Sequence, residues 1–273
     1  MAQALNYALG YSEQEAKRLQ WQAALSQDIL EDGLRRAGVE KGMRVLDLGS
    51  GVGDVALVVA NFVGPQGSVV GVERWEPSLR IARQRCERKR LDNVSFVQAA
   101  LEEFEPGEDR FDAIVGRFIL QYLPTRAQIL ARLKQNLNPG GVALFQEIDN
   151  SASSEFPPSP LFSDVRGWIA SAFQATGSVY DMGALLPQTF LEAGLPRPQM
   201  IAMQRVESGS ATPYYEFLTE VLRSVLPVLQ RVGRPKSETI DIETLADRLR
   251  ADAVANQRTL YSSRVVSAWA RFA

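Results

Sequence analysis

Gly49, Gly51 and Gly53 alternate at the end of the aliphatic run Val45-Leu46-Asp47-Leu48, and the helix-forming stretch Asp54-Val55-Ala56-Leu57-Val58-Val59-Ala60 follows at once. A strand that turns this sharply into a helix needs backbone angles that glycine tolerates, and the missing Cβ lets a ligand reach the main chain. The helix start presents free N–H groups. The chemistry this suits is the holding of a nucleotide-like ligand. Glu73 ends the next short apolar run, 68–72, and lies 20 positions after Gly53. A carboxylate at such a strand tip accepts both hydroxyls of a ribose. A helix N-terminal charge is its plainer role, and the glycine loop at this distance favours the ribose. Glu147 and Asp149 stand two apart at the end of a later strand, on one face by alternation. They are the candidate proton acceptors, with loop capping as the alternative, and Tyr122 is a further candidate.

Composition sets the bounds. A chain of 273 residues with 45% hydrophobic content buries a substantial core. It contains no histidine, which excludes imidazole acid–base catalysis, histidine-based triads and histidine-ligated metals. No metal site is expected. A net charge of -2 argues against nucleic-acid binding through bulk charge. The single Cys86 permits no intrachain disulfide and suits a reducing cytoplasm. Its helical spacing with Leu79 and Ala82 makes it a small buried residue. No apolar run is long enough for a bilayer, so no membrane partner is expected.

The elements that position these residues follow a regular rhythm. Two helices are expected before the glycine loop: one from the capping-box pair Ser12 and Glu15, the next stopped by Gly38. Tyr7 and Tyr11 belong either to helices packed on a sheet edge or to a flap over the ligand. Past the loop, strands are expected at 68–72, 94–97, 111–116 and 142–148, with helices at 77–90 and around Leu130, Leu133 and Leu137. Asn138-Pro139-Gly140-Gly141 reads as a turn that precedes the fifth strand. The arginines at 80, 83, 85, 88 and 90 read as a solvated helix face. Strand–helix alternation specifies a parallel sheet between helices, with the ligand at the C-terminal strand ends. A Ser/Pro-rich connection at 151–160 breaks the rhythm. Beyond it come a helix with Val165, Trp168 and Phe173, a strand at 199–206, helices at 214–232 and 242–255, and a last strand at 264–272.

With these residues in order, the sequence resembles the class I S-adenosylmethionine-dependent methyltransferases. The resemblance rests on the run from Val45 to Gly53, on Glu73, on Phe111-Asp112-Ala113-Ile114-Val115 and on Leu137-Asn138-Pro139-Gly140-Gly141, and it covers about 42–149. It implies an α/β fold: a doubly wound, mainly parallel seven-stranded sheet with an antiparallel last strand. The N-terminal helices at 1–41 cap a domain at 42–273, and a helical insertion at about 208–257 separates strands six and seven. It implies S-adenosylmethionine as cofactor. Asp47 orders the first loop, and Gly49, Ser50, Gly51 and Gly53 surround the amino-acid end. Glu73 grips the ribose, with Arg74 beside it and Tyr11 in the flap. Ala100 stands where the family usually has an acid on the adenine amino group, so backbone groups of Ala100 and Leu101 substitute. Gly116 and Arg117 form the loop facing the methionine ammonium. Arg117 departs from the pattern and binds either a carboxylate or a structural counter-ion.

The third glycine also comes one residue earlier than in the dinucleotide turn G-x-G-x-x-G, and Asp54 follows it directly. An acid there repels a pyrophosphate but tolerates a zwitterionic amino acid. Tyr7, Phe118, Tyr122, Trp168 and Phe173, with Tyr214, Tyr215 and Phe217 of the insertion, are expected to line a pocket for a small, largely apolar acceptor. Glu147 is the candidate base. Two other readings stay open: a cofactor-binding protein without transfer, and an NAD-dependent oxidoreductase.

Overall fold

A computed structural model of the chain describes residues 13–233 and 240–272. Helices α1 (Glu13–Leu25) and α2 (Gln27–Ala37) come first. They lead into β1 (Arg44–Leu48), α3 (Asp54–Val63), β2 (Ser68–Glu73), α4 (Glu76–Lys89), β3 (Val94–Gln98), β4 (Phe111–Arg117), α5 (Arg126–Leu133) and β5 (Leu137–Asp149). Next are β6 (Ser154–Phe156), α6 (Pro160–Thr176), α7 (Met182–Glu192), β7 (Gln199–Met203) and β8 (Val206–Ser208). The chain closes with α8 (Tyr214–Arg231), α9 (Leu245–Ala255), β9 (Thr259–Tyr261) and β10 (Arg264–Arg271). Its described residues fall into two compact units, one of 23–147, 182–202 and 265–272, the other of 13–22, 148–181, 203–233 and 240–264.

The larger unit is built on a seven-stranded sheet in the order β3-β2-β1-β4-β5-β10-β7. The first five strands pair in parallel, and the last strand is antiparallel, as expected. Strand β1 is mostly apolar because helices cover both faces of such a sheet: Val45, Leu46 and Leu48 are fully buried, with the equally buried Asp47 as the exception. Val55, Ala56, Val59, Ala60 and Val63 of α3 pack into the same core with Leu30 and Leu34 of α2. Strand β1 pairs with β2 on one side and β4 on the other, so the crossovers reverse direction there. A sheet of this kind opens its ligand crevice at that reversal, beyond the carboxyl ends of the strands.

Two polar side chains, the half-buried Asp112 and the buried Gln146, brace this frame. Asp112 accepts the Arg44 N–H (2.8 Å) and the Asn138 amide (2.7 Å), tying β1 and β5 to β4 at the end remote from the crevice. The Gln146 amide donates to Ile29 O (2.9 Å) and Ser267 Oγ (2.7 Å), joining α2 and β10 to β5. Helix α2 ends on Gly38 in the left-handed region, the expected stop. Cys86 is buried and free, also as expected.

The segment Asn138-Pro139-Gly140-Gly141 corrects the expectation of a turn before the strand. It lies inside β5 as an irregularity: Phe111 pairs with Leu137 and Ala113 with Val142, so three extra residues on β5 are accommodated between them. Backbone bonds from Gly140 N to Phe272 O (2.9 Å) and from Phe272 N to Gly141 O (2.7 Å) hold it there.

The smaller unit combines α6, α8 and α9 with a three-stranded antiparallel sheet, β6-β9-β8. That sheet is absent from the sequence expectation, which had a connection at 151–160 and one strand across 199–206. Its strands are three residues each, too short for alternation to register. The break after Met203 is held by Gln204 Nε2 on Ala152 O (3.1 Å) and Ser262 O (2.7 Å), and by Arg205 N on Ser262 Oγ (3.0 Å). Among the described residues no helix is long and apolar enough to cross a membrane.

Candidate functional site

The larger unit gathers most of the predicted site residues around the carboxyl ends of β1, β2 and β4. Gly49 turns the chain with φ +67, and a Cβ there would lie 2.5 Å from Ile119 Cδ1. Alanine at position 49 therefore meets both left-handed strain and a clash. We expect a loss of about 2 kcal/mol in the unfolding free energy of Gly49→Ala, measured by urea denaturation. Ser50 N–H donates to Val72 O (2.9 Å) and Gly53 N–H to Ser50 O (2.8 Å), which closes the turn. Gly51 faces open space: a Cβ there meets nothing within 4 Å.

Glu73 fastens this loop. Its Oε2 accepts the Gly51 N–H (3.1 Å) and its Oε1 the Trp75 N–H (2.9 Å). Burial raises its pKa above the usual carboxylate value, and the backbone donors pull it back. Each carboxylate oxygen accepts more than one hydrogen bond, so both retain capacity for a further donor. A ribose diol has the two hydroxyls this arrangement calls for.

Beneath the loop lies a run of buried charge. Asp47 is fully buried, and burial pushes its pKa up to about 8 against the pull of Arg117. The resemblance implies that Asp47 orders the loop; among the described residues neither of its oxygens has a hydrogen-bond partner within 3.5 Å. Asp54 pairs with Arg85 (2.7 Å), whose guanidinium also donates to Val52 O (2.6 Å). The Asp54 charge is thus largely matched within the protein, which removes most of the repulsion invoked against a pyrophosphate. Arg85 itself corrects the solvated-face reading of α4: it turns inward beside Ala82 and Cys86. Their buried positions were the signal that could have shown it.

After β4 the chain passes through Arg117 and then Phe118, a non-glycine residue with φ 56. Burial lowers the Arg117 pKa, and Asp54 and then Asp47 oppose it. Among the described residues Arg117 forms no ion pair within 4.0 Å, so the structural salt bridge left open by the sequence is absent. Among the described residues its one hydrogen bond is a long contact to Ser26 Oγ (3.4 Å), and the guanidinium carbon lies 5.6 Å from the Phe118 ring centre.

Glu147 is fully buried, and its Oε1 accepts the N–H groups of Ile119 (2.9 Å) and Leu120 (2.7 Å). Burial raises its pKa to about 8 despite those donors. Its other oxygen has no partner. Asp149, the other predicted carboxylate, belongs to the smaller unit. It is engaged there by Arg264 (2.6 Å) and Ser151 N–H (2.9 Å), which together hold its pKa low even though burial opposes them.

A family model described as a methyltransferase domain matches residues 39–181. The chain belongs to the class I S-adenosylmethionine-dependent methyltransferases. Among curated proteins, this methyltransferase is similar to the demethylmenaquinone methyltransferase of Geobacillus kaustophilus, 31% identical over 117 residues, 43% of this chain and 50% of that protein. It is also similar to the ubiquinone/menaquinone biosynthesis C-methyltransferase of Ectopseudomonas mendocina, 32% identical over 151 residues, 52% of this chain and 57% of that protein. The chain spans about half the length of the curated relatives it matches.

Among solved structures it shares its fold with a Bacillus halodurans protein at TM-score 0.58 and 17% identity, covering 89% of this chain and 97% of that one. A second likeness is to phosphoethanolamine N-methyltransferase 2 of Haemonchus contortus, solved with phosphomonomethylethanolamine and S-adenosylhomocysteine. There the TM-score is 0.52 and the identity 18%, covering 88% of this chain and 52% of that one. At these identities the likeness is one of fold.

The residues of this methyltransferase fit its family's cofactor. Ser50 Oγ is buried without a partner among the described residues, Gly51 is bare, and Glu73 keeps acceptor capacity beside both. The adenine end is less provided for. Ala100 O already accepts Glu103 N–H (3.0 Å) and Phe104 N–H (2.9 Å), and Leu101 O accepts Arg132 (2.6 Å). The carbonyls expected to replace the missing acid are therefore engaged. Arg74 is exposed next to Glu73. Phe118 and Tyr122 are half-buried in the larger unit. In the smaller unit Trp168 is half-buried, while Phe173 is buried edge-on to Tyr180 (5.6 Å) and serves as core. Tyr215 is likewise core, its hydroxyl donating to Glu155 (2.6 Å). Tyr7 and Tyr11 lie outside the described residues. No group of three or more His, Cys, Asp or Glu among the described residues can hold a metal.

Proposed function

We propose that this methyltransferase moves the methyl group of S-adenosylmethionine to a small, largely apolar acceptor. The observation that carries the reading is the half-buried Glu73 carboxylate, fixed by Gly51 and Trp75 yet with lone pairs to spare beside the bare loop. When bound, the cofactor supplies a methyl group on a sulfonium, which a nucleophile displaces in line.

In this reading Glu73 holds the ribose diol, Ser50 and Gly51 form the bed for the amino-acid end, and Phe118 and Tyr122 offer apolar surface to the acceptor. The chain's contribution is alignment and exclusion of water, a source of effective molarities of about 10⁵ M or more in favourable cases. Glu147 works at one remove. Its ligation of Ile119 and Leu120 N–H groups fixes the loop that carries Arg117 and Phe118. The similar proteins are named for demethylmenaquinone methylation and for ubiquinone/menaquinone biosynthesis, which supports a small aromatic ring over a polymer.

The test is incubation of the full chain with methyl-labelled S-adenosylmethionine and a panel of reduced quinones, phenols and small amines. Label is expected in at least one apolar aromatic product. Tight binding of the cofactor with no labelled product across the panel would favour a binding protein instead.

A further inference from the structure

We propose that Arg117 is the carboxylate clamp for the methionyl end of the cofactor, and so the residue that separates S-adenosylmethionine from its decarboxylated form. The proposal rests on the cofactor reading above and adds to it a specific pair of groups.

Three observations lead to it. The first is position. Gly116 pairs with Leu48 in the sheet, so Arg117 leaves β4 directly alongside the point where β1 becomes the glycine loop. Ser50 and Gly51, the bed assigned to the amino-acid end, belong to that loop.

The second is an unmatched cation. Guanidinium presents five N–H donors in a rigid planar fork, and charged groups taken out of water are normally paired. Arg117 has one contact at 3.4 Å, to a neutral hydroxyl, and no ion pair among the described residues. Neither nearby acid, Asp54 or Asp47, pairs with it directly, though both act on it at longer range. Asp54 is committed to Arg85 at 2.7 Å. Asp47 lies beyond ion-pair distance, and its burial favours the neutral acid.

The third is shape. The Phe118 ring lies against the guanidinium at 5.6 Å, an aromatic neighbour that helps hold a planar fork in place without using its donors. A carboxylate is the group whose two oxygens match such a fork. The methionyl end of the cofactor carries one, and a zwitterion brings it to this loop together with an ammonium.

Decarboxylated S-adenosylmethionine keeps the sulfonium, the adenosine and the ammonium and lacks only the carboxylate, so it isolates the proposed contact. Calorimetry would compare both compounds on the wild type, Arg117→Met and Arg117→Lys. The wild type is expected to bind S-adenosylmethionine about 10- to 100-fold more tightly than the decarboxylated compound. Arg117→Met should lose that same factor for S-adenosylmethionine and bind the decarboxylated compound as the wild type does, with Arg117→Lys in between.

Equal losses for both compounds in Arg117→Met would overturn the proposal and make Arg117 a structural residue. Equal affinity of the wild type for the two compounds would overturn it with no variant needed, which covers the case in which Arg117→Met does not fold. If the wild type binds neither compound, the cofactor reading fails and the clamp with it, an outcome distinct from the other two.

Discussion

Glu73→Ala should lower the affinity for S-adenosylhomocysteine by roughly 100-fold or more, while native structure persists. Hydrogen bonds to a charged group contribute about 1.5–3 kcal/mol each, and two from a ribose diol would give that factor or exceed it. The carboxylate has a second duty, since it also accepts Gly51 and Trp75 N–H at 3.1 and 2.9 Å. Removing it frees both donors, but they sit near solvent at the mouth of the loop, and water replaces much of what is lost. The cost in unfolding free energy is therefore expected to stay near 1 kcal/mol, within the range for a hydrogen bond whose partner remains hydrated.

Glu73→Gln sharpens the test. Its amide keeps one acceptor oxygen, but its NH₂ faces one of the two backbone donors, so affinity should fall almost as far as with alanine. Calorimetry with S-adenosylhomocysteine and urea denaturation of the same samples read the two effects separately. Unchanged affinity in both variants would remove Glu73 from the ribose and take with it the main support for the cofactor site.

What the sequence disclosed and what it concealed divide along a physical line. The glycine loop and Glu73 are legible because their meaning is local: a tight turn demands glycine, and a strand of known length places the acid at its tip. The parallel order follows from alternation of strand and helix, and the antiparallel last strand from the resemblance. Features that depend on side-chain direction or on pairing distant in sequence stayed hidden. Arg85 looked like one of a row of solvated arginines, and only its inward turn onto Asp54 and Val52 O shows otherwise.

The same holds for Asn138-Pro139-Gly140-Gly141, a turn by composition that Phe272, just beyond the last strand, holds within β5. The small sheet is made of three-residue pieces from three separate stretches of chain, and nothing in any one stretch announces the other two. Position 147 is instructive in another way. The sequence placed a carboxylate at the end of strand five and weighed it as a base. Its use is decided by a bend at Phe118, whose positive φ no glycine announces and which turns two N–H groups onto the acid.

That use predicts an unusual pH dependence. Glu147 is held near a pKa of about 8 in the native chain against the usual 4.5 of a glutamate, because burial favours its neutral form. Below pH 4.5 the group is protonated in both folded and unfolded chains and costs nothing. Between pH 4.5 and 8 the unfolded chain gives up the proton while the native one keeps it, so stability is lost as pH rises. The loss ends once the native carboxyl ionises too.

A shift of this size corresponds to a cost on the order of 3 kcal/mol or more at 1.36 kcal/mol per pH unit. Asp47 has the same sign and a similar folded value, so the wild-type curve alone does not isolate Glu147. The difference between wild type and Glu147→Gln does. The amide oxygen still accepts Ile119 and Leu120 N–H but never titrates, so the variant should gain on the wild type by about 3 kcal/mol between pH 5 and pH 8.

Parallel stability curves would mean that Glu147 is not held neutral. Activity separates positioning from proton transfer. If the acid only fixes the loop, kcat/KM of Glu147→Gln at pH 7 should stay within a few-fold of wild type. A fall of about 10²-fold or more with KM unchanged would restore it as a base. The two measurements have opposite demands, because a carboxyl kept protonated by burial at neutral pH is a poor acceptor of a second proton, and the property that shapes the stability curve is the one that disqualifies it from the chemistry.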